Sequence, residues 1–283
     1  MPYFGAHMSI AGGLEKAVER IRTVDGTALQ IFSKNQRQWK SKPLEQAQID
    51  AFTQAVAAWG DYPIAVHDSY LINLGSPKPD GVEKSVVSFA HELERAEQLK
   101  IPYVVMHPGA HLGTDVEEAL QRVAANIDRA IVASGTQDVM VLLENTAGQG
   151  TTLGRSFAEL GAILRHTAMP GRYGICMDTC HAFVAGYDLS TQEGYAATMD
   201  ELDREVSIDA LKFMHLNDSK GAVGSHLDRH DHIGQGLIGL AGFSRIVNDV
   251  RLADVAMVLE TPKGDDLAED KKNLAVLRGL VDS

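Results

Sequence analysis

The sequence predicts an α/β protein: one (β/α)8 TIM barrel over residues 1–283, with its active site at the C-terminal ends of the strands. Three observations predict it. Eight short apolar runs recur along the chain, amphipathic segments separate them, and 283 residues shared among eight units leave about 35 for each, the size of a βα unit. The runs are 3–7, 28–32, 64–67, 103–107, 139–144, 173–178, 211–215 and 255–260. Several are apolar almost without interruption, as strands buried on both faces of a parallel sheet are. Between them, Val82, Val86, Phe89, Leu93 and Ala96 are spaced 4, 3, 4, 3 and line one face of a helix. Val116, Leu120, Val123, Ile127 and Ala130 repeat that spacing, and Thr114, Asp115, Val116 and Glu117 predict a capping box at the helix start. The structural rival is a doubly wound open sheet, which the same alternation also builds.

Composition narrows the class. Hydrophobic residues at 45% and charged residues at 23% fit a soluble globular protein and argue against disorder. Lys plus Arg number 26 against 38 Asp plus Glu, a formal charge of −12, which excludes a basic protein that simply coats nucleic acid. Nucleic acid as a substrate stays open, because bound cations are outside that count. No run of 18 apolar residues occurs, so no membrane span is expected. Residues 1–7 lack a basic stretch followed by an apolar one, so the expectation is a cytoplasmic protein without a signal peptide. Cys176 and Cys180 are too few for a disulfide framework and wrongly spaced for a C-x-x-C redox pair. They read as reduced thiols near the core. The chain shows no linker, repeat or low-complexity tract.

The chemistry gathers at the run ends. His67, His107, Glu144, Asp178, His215 and Glu260 each close one of the last six runs, at separations of 40, 37, 34, 37 and 45 residues. Successive strand ends of a barrel form a ring at one face, so these six would converge there. Imidazole and carboxylate suit divalent zinc, manganese or iron. A single such residue caps a helix or bonds a loop as readily as it binds metal. Six in phase require that coincidence six times, which favours a polynuclear metal site. His181 lies three residues beyond Asp178, and 226–232 carries polar groups at every second position. In an extended segment Asp228 and His230 point the same way and, with His181, make a three-ligand site with open positions. His226 and His232 are spare, and solvent exposure is as good a reading for them. His91 and His166 fall within helical patterns and carry no assigned role. His7 and His111 lie at or just past strand ends, where they could support ligands from behind.

Gly234, Gly236 and Gly239 match G-x-G-x-x-G but follow a His-rich polar loop rather than a buried strand. They read as turns leading into a helix after Leu240, so no nucleotide cofactor is expected. Motifs of P-loop hydrolases, zincin proteases and serine hydrolases are absent from the sequence.

The segments 35–39 (NQRQW), 67–75 (HDSYLINLG), 107–109 (HPG), 144–150 (ENTAGQG), 178–182 (DTCHA), 215–218 (HLND), 228–230 (DRH) and 259–261 (LET) resemble, in order, the endonuclease IV family of apurinic/apyrimidinic (AP) endonucleases. The resemblance runs from His7 to Glu260. It implies a barrel with three zinc ions, manganese being an alternative at some sites. The first ion would be held by His67, His107 and Glu144. The second would share Glu144 and add Asp178, His215 and Glu260. The third would take His181, Asp228 and His230. It also implies hydrolysis of the phosphodiester 5′ to an abasic site by a metal-bridging hydroxide, leaving a 3′-hydroxyl and a 5′-deoxyribose phosphate. Glu144 and Glu260 would help to orient that hydroxide. Cleaning of 3′-blocked ends and incision at oxidised bases are further activities the resemblance suggests.

The implied partner is double-stranded DNA containing abasic sites, met by a monomer with no membrane association and located at the nucleoid when bound. Three zinc ions would bring the charge from −12 to −6, leaving recognition to shape rather than to bulk attraction. The loops after the second and third strands would enter the DNA at the lesion, which points to Arg37, Tyr70 and Leu71. Without the resemblance, Tyr70 and Leu71 read as a cover for the barrel mouth. The nearest rival function is a TIM-barrel sugar isomerase or epimerase with divalent metal. A lesion-binding or metal-storage protein without turnover is the rival from another class. The cluster around Asp228 and the 35–39 segment favour the nuclease.

Overall fold

A computed structural model describes residues 2–282. The strands and helices run in the order β1 (Tyr3–Met8), α1 (Leu14–Thr23), β2 (Ala28–Phe32), α2 (Gln46–Trp59), β3 (Ile64–His67), α3 (Pro79–Gln98), β4 (Tyr103–Met106), α4 (Val116–Ser134), β5 (Met140–Glu144), α5 (Phe157–His166), β6 (Tyr173–Asp178), α6 (Thr179–Ala185), α7 (Gln192–Val206), β7 (Leu211–His215), β8 (Asp218–Ser219), β9 (His230–Asp231), α8 (Gly239–Val247), β10 (Ala256–Leu259) and α9 (Ala268–Gly279). Eight parallel strands close in the order β1-β10-β7-β6-β5-β4-β3-β2. Because β1 pairs with both β2 and β10, neither edge is left open and the open-sheet rival is excluded. All eight apolar runs became barrel strands, with His107 and Glu260 one residue past the ends of β4 and β10.

Alternation along the strands explains where the polar residues go. Ala28, Ala65, Val105, Leu142, Cys176, Phe213 and Val258 fill the barrel interior as a cluster separate from the larger one between barrel and helices. Side chains on a strand return to the same face every second residue. Two residues beyond each interior position stand Gln30, His67, His107, Glu144, Asp178, His215 and Glu260. On β1 the same step leads from Gly5 to His7; a Cβ at Gly5 would collide with the Ala28 carbonyl. The rim of the barrel is therefore polar all the way round.

Local differences have local causes. The predicted capping box before α4 is not formed: Asp115, not Thr114, caps the helix by accepting from the Glu118 N–H at 3.0 Å. Thr114 instead accepts from Arg122 at 2.6 Å and donates to the His111 carbonyl at 2.8 Å. The 234–239 loop does lead into a helix, α8, which begins at Gly239. Its N–H groups at Gly234, Gly236 and Ile238 donate to the buried Asp218 carboxylate at 2.9–3.0 Å. These N–H groups are thereby taken by the protein's own carboxylate. Among the described residues no helix is long and apolar enough to cross a membrane. Both cysteines are free and buried, and burial, the largest influence on each thiol, pushes them up to about 12.

Candidate metal centre

The rim residues and the second cluster form one connected site. Glu144, fully buried, lies at its middle. Its Oε2 is 3.2 Å from Nε2 of both His67 and His107, while its Oε1 is 3.2 Å from His215 Nδ1 and 3.1 Å from His181 Nδ1. The two oxygens thus face two different pairs of imidazoles. His215 Nδ1 is also 3.7 Å from Asp178 Oδ2 and 3.4 Å from Glu260 Oε2. Asp228, on the segment between β8 and β9, has Oδ2 3.3 Å from His181 Nε2 and Oδ1 3.2 Å from His230 Nε2. All nine predicted ligands are brought together. Candidate donor atoms lie within 4.8 Å of one another in the sets His67–His107–Glu144, Asp178–His215–Glu260 and Asp178–His181–His230. Cys176 and Cys180 each complete a further set, with Glu144 and His215 and with Asp228 and His230.

These spacings fit metal. Donors about 2.0–2.1 Å from a tetrahedral zinc ion stand about 3.3 Å apart, close to the separations across Glu144 and Asp228. At three of the imidazoles the ring nitrogen that points away from the centre is held. His67 Nδ1 donates to the Asp68 carbonyl at 2.9 Å, His230 Nδ1 to the Glu260 carbonyl at 3.1 Å, and His215 Nε2 to Gln30 Oε1 at 2.8 Å. Each leaves its other nitrogen turned inward, which is how imidazole ligands are usually oriented. His230 Nε2 is buried without a hydrogen-bond partner although the Asp228 carboxylate is near. An orphaned nitrogen beside a misaligned carboxylate is the geometry of two ligands to one ion.

The charges agree. Burial works against ionisation of Glu144, but the charges of His215 and His107 outweigh it and hold the carboxyl well below its usual range. Asp178, Asp228 and Glu260 are lowered in the same way, burial being outweighed by the neighbouring imidazoles. His181 and His215 are held well above the usual imidazole value and His230 is pushed up to about 9, where Asp178 and Asp228 overcome the cost of burial. Asp68 is the exception, since burial pushes its carboxyl well above the usual range. Imidazoles and carboxylates thus favour each other's charged forms at the positions that cations would take.

Three residues behind the ligands escaped the sequence reading. Gln30 Nε2 donates to Glu260 Oε1 at 2.6 Å while its oxygen accepts from His215. Asn217 Nδ2 donates to Asp178 Oδ2 at 2.7 Å, and its oxygen accepts from the Glu260 N–H. Asn145 Oδ1 accepts from the Asp178 N–H at 2.8 Å, and its carbonyl accepts from His181 Nδ1. His7 stands where support was expected, with Nδ1 2.9 Å from Glu260 Oε1. His111 bonds the Thr114 carbonyl, His226 is exposed and bonds the Ala147 carbonyl, and His232 is half-buried beside Asn273. His91 and His166 sit near Glu94 and Glu117, away from the site. Replacing Gln30 with Leu should lower metal affinity or activity about 10–100-fold, the usual cost of losing such support. Titration of the stripped variant with zinc checks it.

Tyr70 reaches the site: its ring centroid is 5.5 Å from that of His67 and 5.9 Å from that of His107, and Phe32 backs it at 6.1 Å. It lines three cavities, of about 260, 490 and 340 Å³, that open onto the ring. Leu71 and Arg37 are exposed on the adjoining loops and line none of the three. The two loops are joined, because Ser69 Oγ donates to the Gln36 carbonyl at 2.6 Å.

Fold and site together define a TIM-barrel protein with a ring of candidate metal ligands at the C-terminal rim. A family profile described as a xylose isomerase-like TIM barrel matches residues 18–280. A protein of Chloroflexus aggregans named "Probable endonuclease 4" is 52% identical over 281 residues, covering 99% of this chain and 98% of that protein. The crystal structure of endonuclease IV from Thermus thermophilus superposes with a TM-score of 0.88 at 40% identity, covering 99% and 98% of the two chains. The chain belongs to the endonuclease IV family. A D-tagatose 3-epimerase-like protein has a TM-score of 0.73 at 20% identity over 99% of this chain and 98% of its own, a likeness of fold alone.

Proposed function

We propose that this protein is a DNA-repair endonuclease that hydrolyses the phosphodiester 5′ to an abasic site, leaving a 3′-hydroxyl and a 5′-deoxyribose phosphate. The observation that carries the reading is the buried Glu144 carboxylate, whose two oxygens face separate imidazole pairs in a chain about half identical to proteins named as endonucleases. His67, His107 and Glu144 would hold one ion; Glu144, Asp178, His215 and Glu260 a second; and His181, Asp228 and His230 a third, with zinc as the cofactor. Such ions supply a lowered pKa for water and positive charge against the phosphoryl and leaving oxygens.

The chain's own groups do the rest. Glu144 and Glu260 carry oxygens at the heart of the ring and orient the attacking water. Gln30 and His7 fix Glu260 from behind. Tyr70 shields His67 and His107 and, with Leu71 and Arg37 on the rim, meets the lesion. An abasic nucleotide has no base to unstack or unpair, so extruding it costs least. The partner is double-stranded DNA bound by a monomer at the nucleoid, and the open rim also admits a 3′-blocked end.

Incubating the purified protein with a duplex bearing one abasic site tests the reading. Scission 5′ to the lesion with a 3′-hydroxyl is expected, whereas an intact duplex or a 3′-side cut would overturn it. Arg37→Ala should weaken binding to that duplex about tenfold while zinc content stays at the wild-type value. Metal loss like that of a ligand variant would contradict its place in recognition.

A further inference from the structure

The loop that carries Arg37, residues 33–45 between β2 and α2, has no helix or strand of its own. Loops of that length in compact domains are usually functional. This one is fixed from beneath by side chains of α3. Ser88, Glu92 and Arg95 are spaced four and three residues apart, so they share one face of that helix, and all three are buried. Arg95 donates to the Ser33 carbonyl and, at 3.1 Å, to the Lys42 carbonyl. Ser88 donates to the Trp39 carbonyl at 3.2 Å and accepts from Lys34 Nζ at 3.0 Å. Glu92 lies 3.2 Å from Lys34 Nζ and accepts from Ser33 Oγ at 2.6 Å. With Ser69 on the Gln36 carbonyl, side chains hold four loop carbonyls.

Lys34 and Glu92 are each 2% exposed at the side chain. Taking such charges out of water is costly, and a buried pair adds little stability over apolar residues of equal volume. Its return lies elsewhere. Resting on the nuclease reading above, we infer that the buried Lys34–Glu92–Arg95 network is a specificity device, positioning the 33–45 loop so that Arg37 meets the lesion-bearing duplex already ordered. Ordering that loop at each encounter would otherwise weaken binding, since pre-organisation removes the entropic cost of association. The three residues touch no substrate and act through the loop.

The test replaces the network with apolar side chains: Lys34→Met, Glu92→Leu and Arg95→Met together, compared with wild type and with the milder Ser88→Ala. For the triple variant the expected result is unchanged metal content and melting temperature, unchanged kcat at saturating abasic duplex, and KM raised about tenfold. Preference for abasic over intact duplex should fall by the same factor. Amide hydrogen exchange at 35–42 should accelerate in both variants, and Ser88→Ala should raise KM about threefold. Wild-type KM, preference and exchange in a folded triple variant would overturn the inference. Should the triple variant fail to fold, unchanged KM and exchange in Ser88→Ala would overturn it. A wild-type protein that leaves abasic duplex uncut fails the nuclease reading instead, and the exchange rates still decide whether the network orders the loop.

Discussion

Glu144→Ala is expected to lose at least about 10³-fold in kcat/KM on abasic duplex, together with most of its bound metal. The magnitude follows from the several kcal/mol of charge stabilisation that bound ions supply and from about 1.4 kcal/mol per tenfold in rate. Among the described residues Glu144 is the one carboxylate within 3.2 Å of four imidazoles, those of His67, His107, His181 and His215. Its loss leaves that many rings without their common counter-charge and, on the proposed function, removes a shared ligand. Glu144→Gln keeps the shape and removes only the charge, so it should lose comparable activity with a smaller drop in melting temperature. Steady-state kinetics and metal analysis on the same preparations check this; either variant turning over like wild type would contradict the role.

Removing metal should abolish activity, with zinc restoring it, and should also change how stability depends on pH. In the stripped protein His230 has a raised value of about 9, against about 6.5 unfolded. Its stabilising contribution is therefore complete below about pH 6.5 and lost as pH rises through about 9. Glu144, Asp178, Asp228 and Glu260 are lowered, so theirs is present above about pH 4 and lost only in stronger acid. The stripped protein should thus be most stable in mild acid. Zinc needs deprotonated ligands, so its contribution grows as protons leave. The gap in melting temperature between loaded and stripped protein should widen from about pH 6 to about pH 9. Thermal melts across that range check it, and a constant gap would contradict the coupling.

The barrel was legible because strands buried on both faces cannot hide: each reads as an apolar run, and its last inward residue stands out when it is His, Asp or Glu. Gln30 shows the limit of that signal. It sits inside the run Ala28, Leu29, Gln30, Ile31, Phe32, and only the inward register of Ala28 reveals that it joins the rim. Asn145 and Asn217 were unreadable for another reason, since an Asn just past a ligand looks like any turn residue. The stripe Ser88, Glu92 and Arg95 has the helical spacing of a solvated face; a loop from elsewhere in the chain covers it, and no local pattern announces that. For Asp228 and His230 the alternation argument anticipated the meeting of the two side chains, 3.2 Å apart, although only His230 lies within β9 and Asp228 stands just before it. Arg37 and Leu71 were named through family resemblance, and their exposed positions on adjoining loops suit a rim that receives a large partner.

The proposed function depends on the nine side chains acting as one cage for several cations. Elemental analysis of protein purified without chelator measures that directly. About three metal ions per chain, falling together in Glu144→Ala, is the predicted result; a firm value near one, unchanged in that variant, would contradict it.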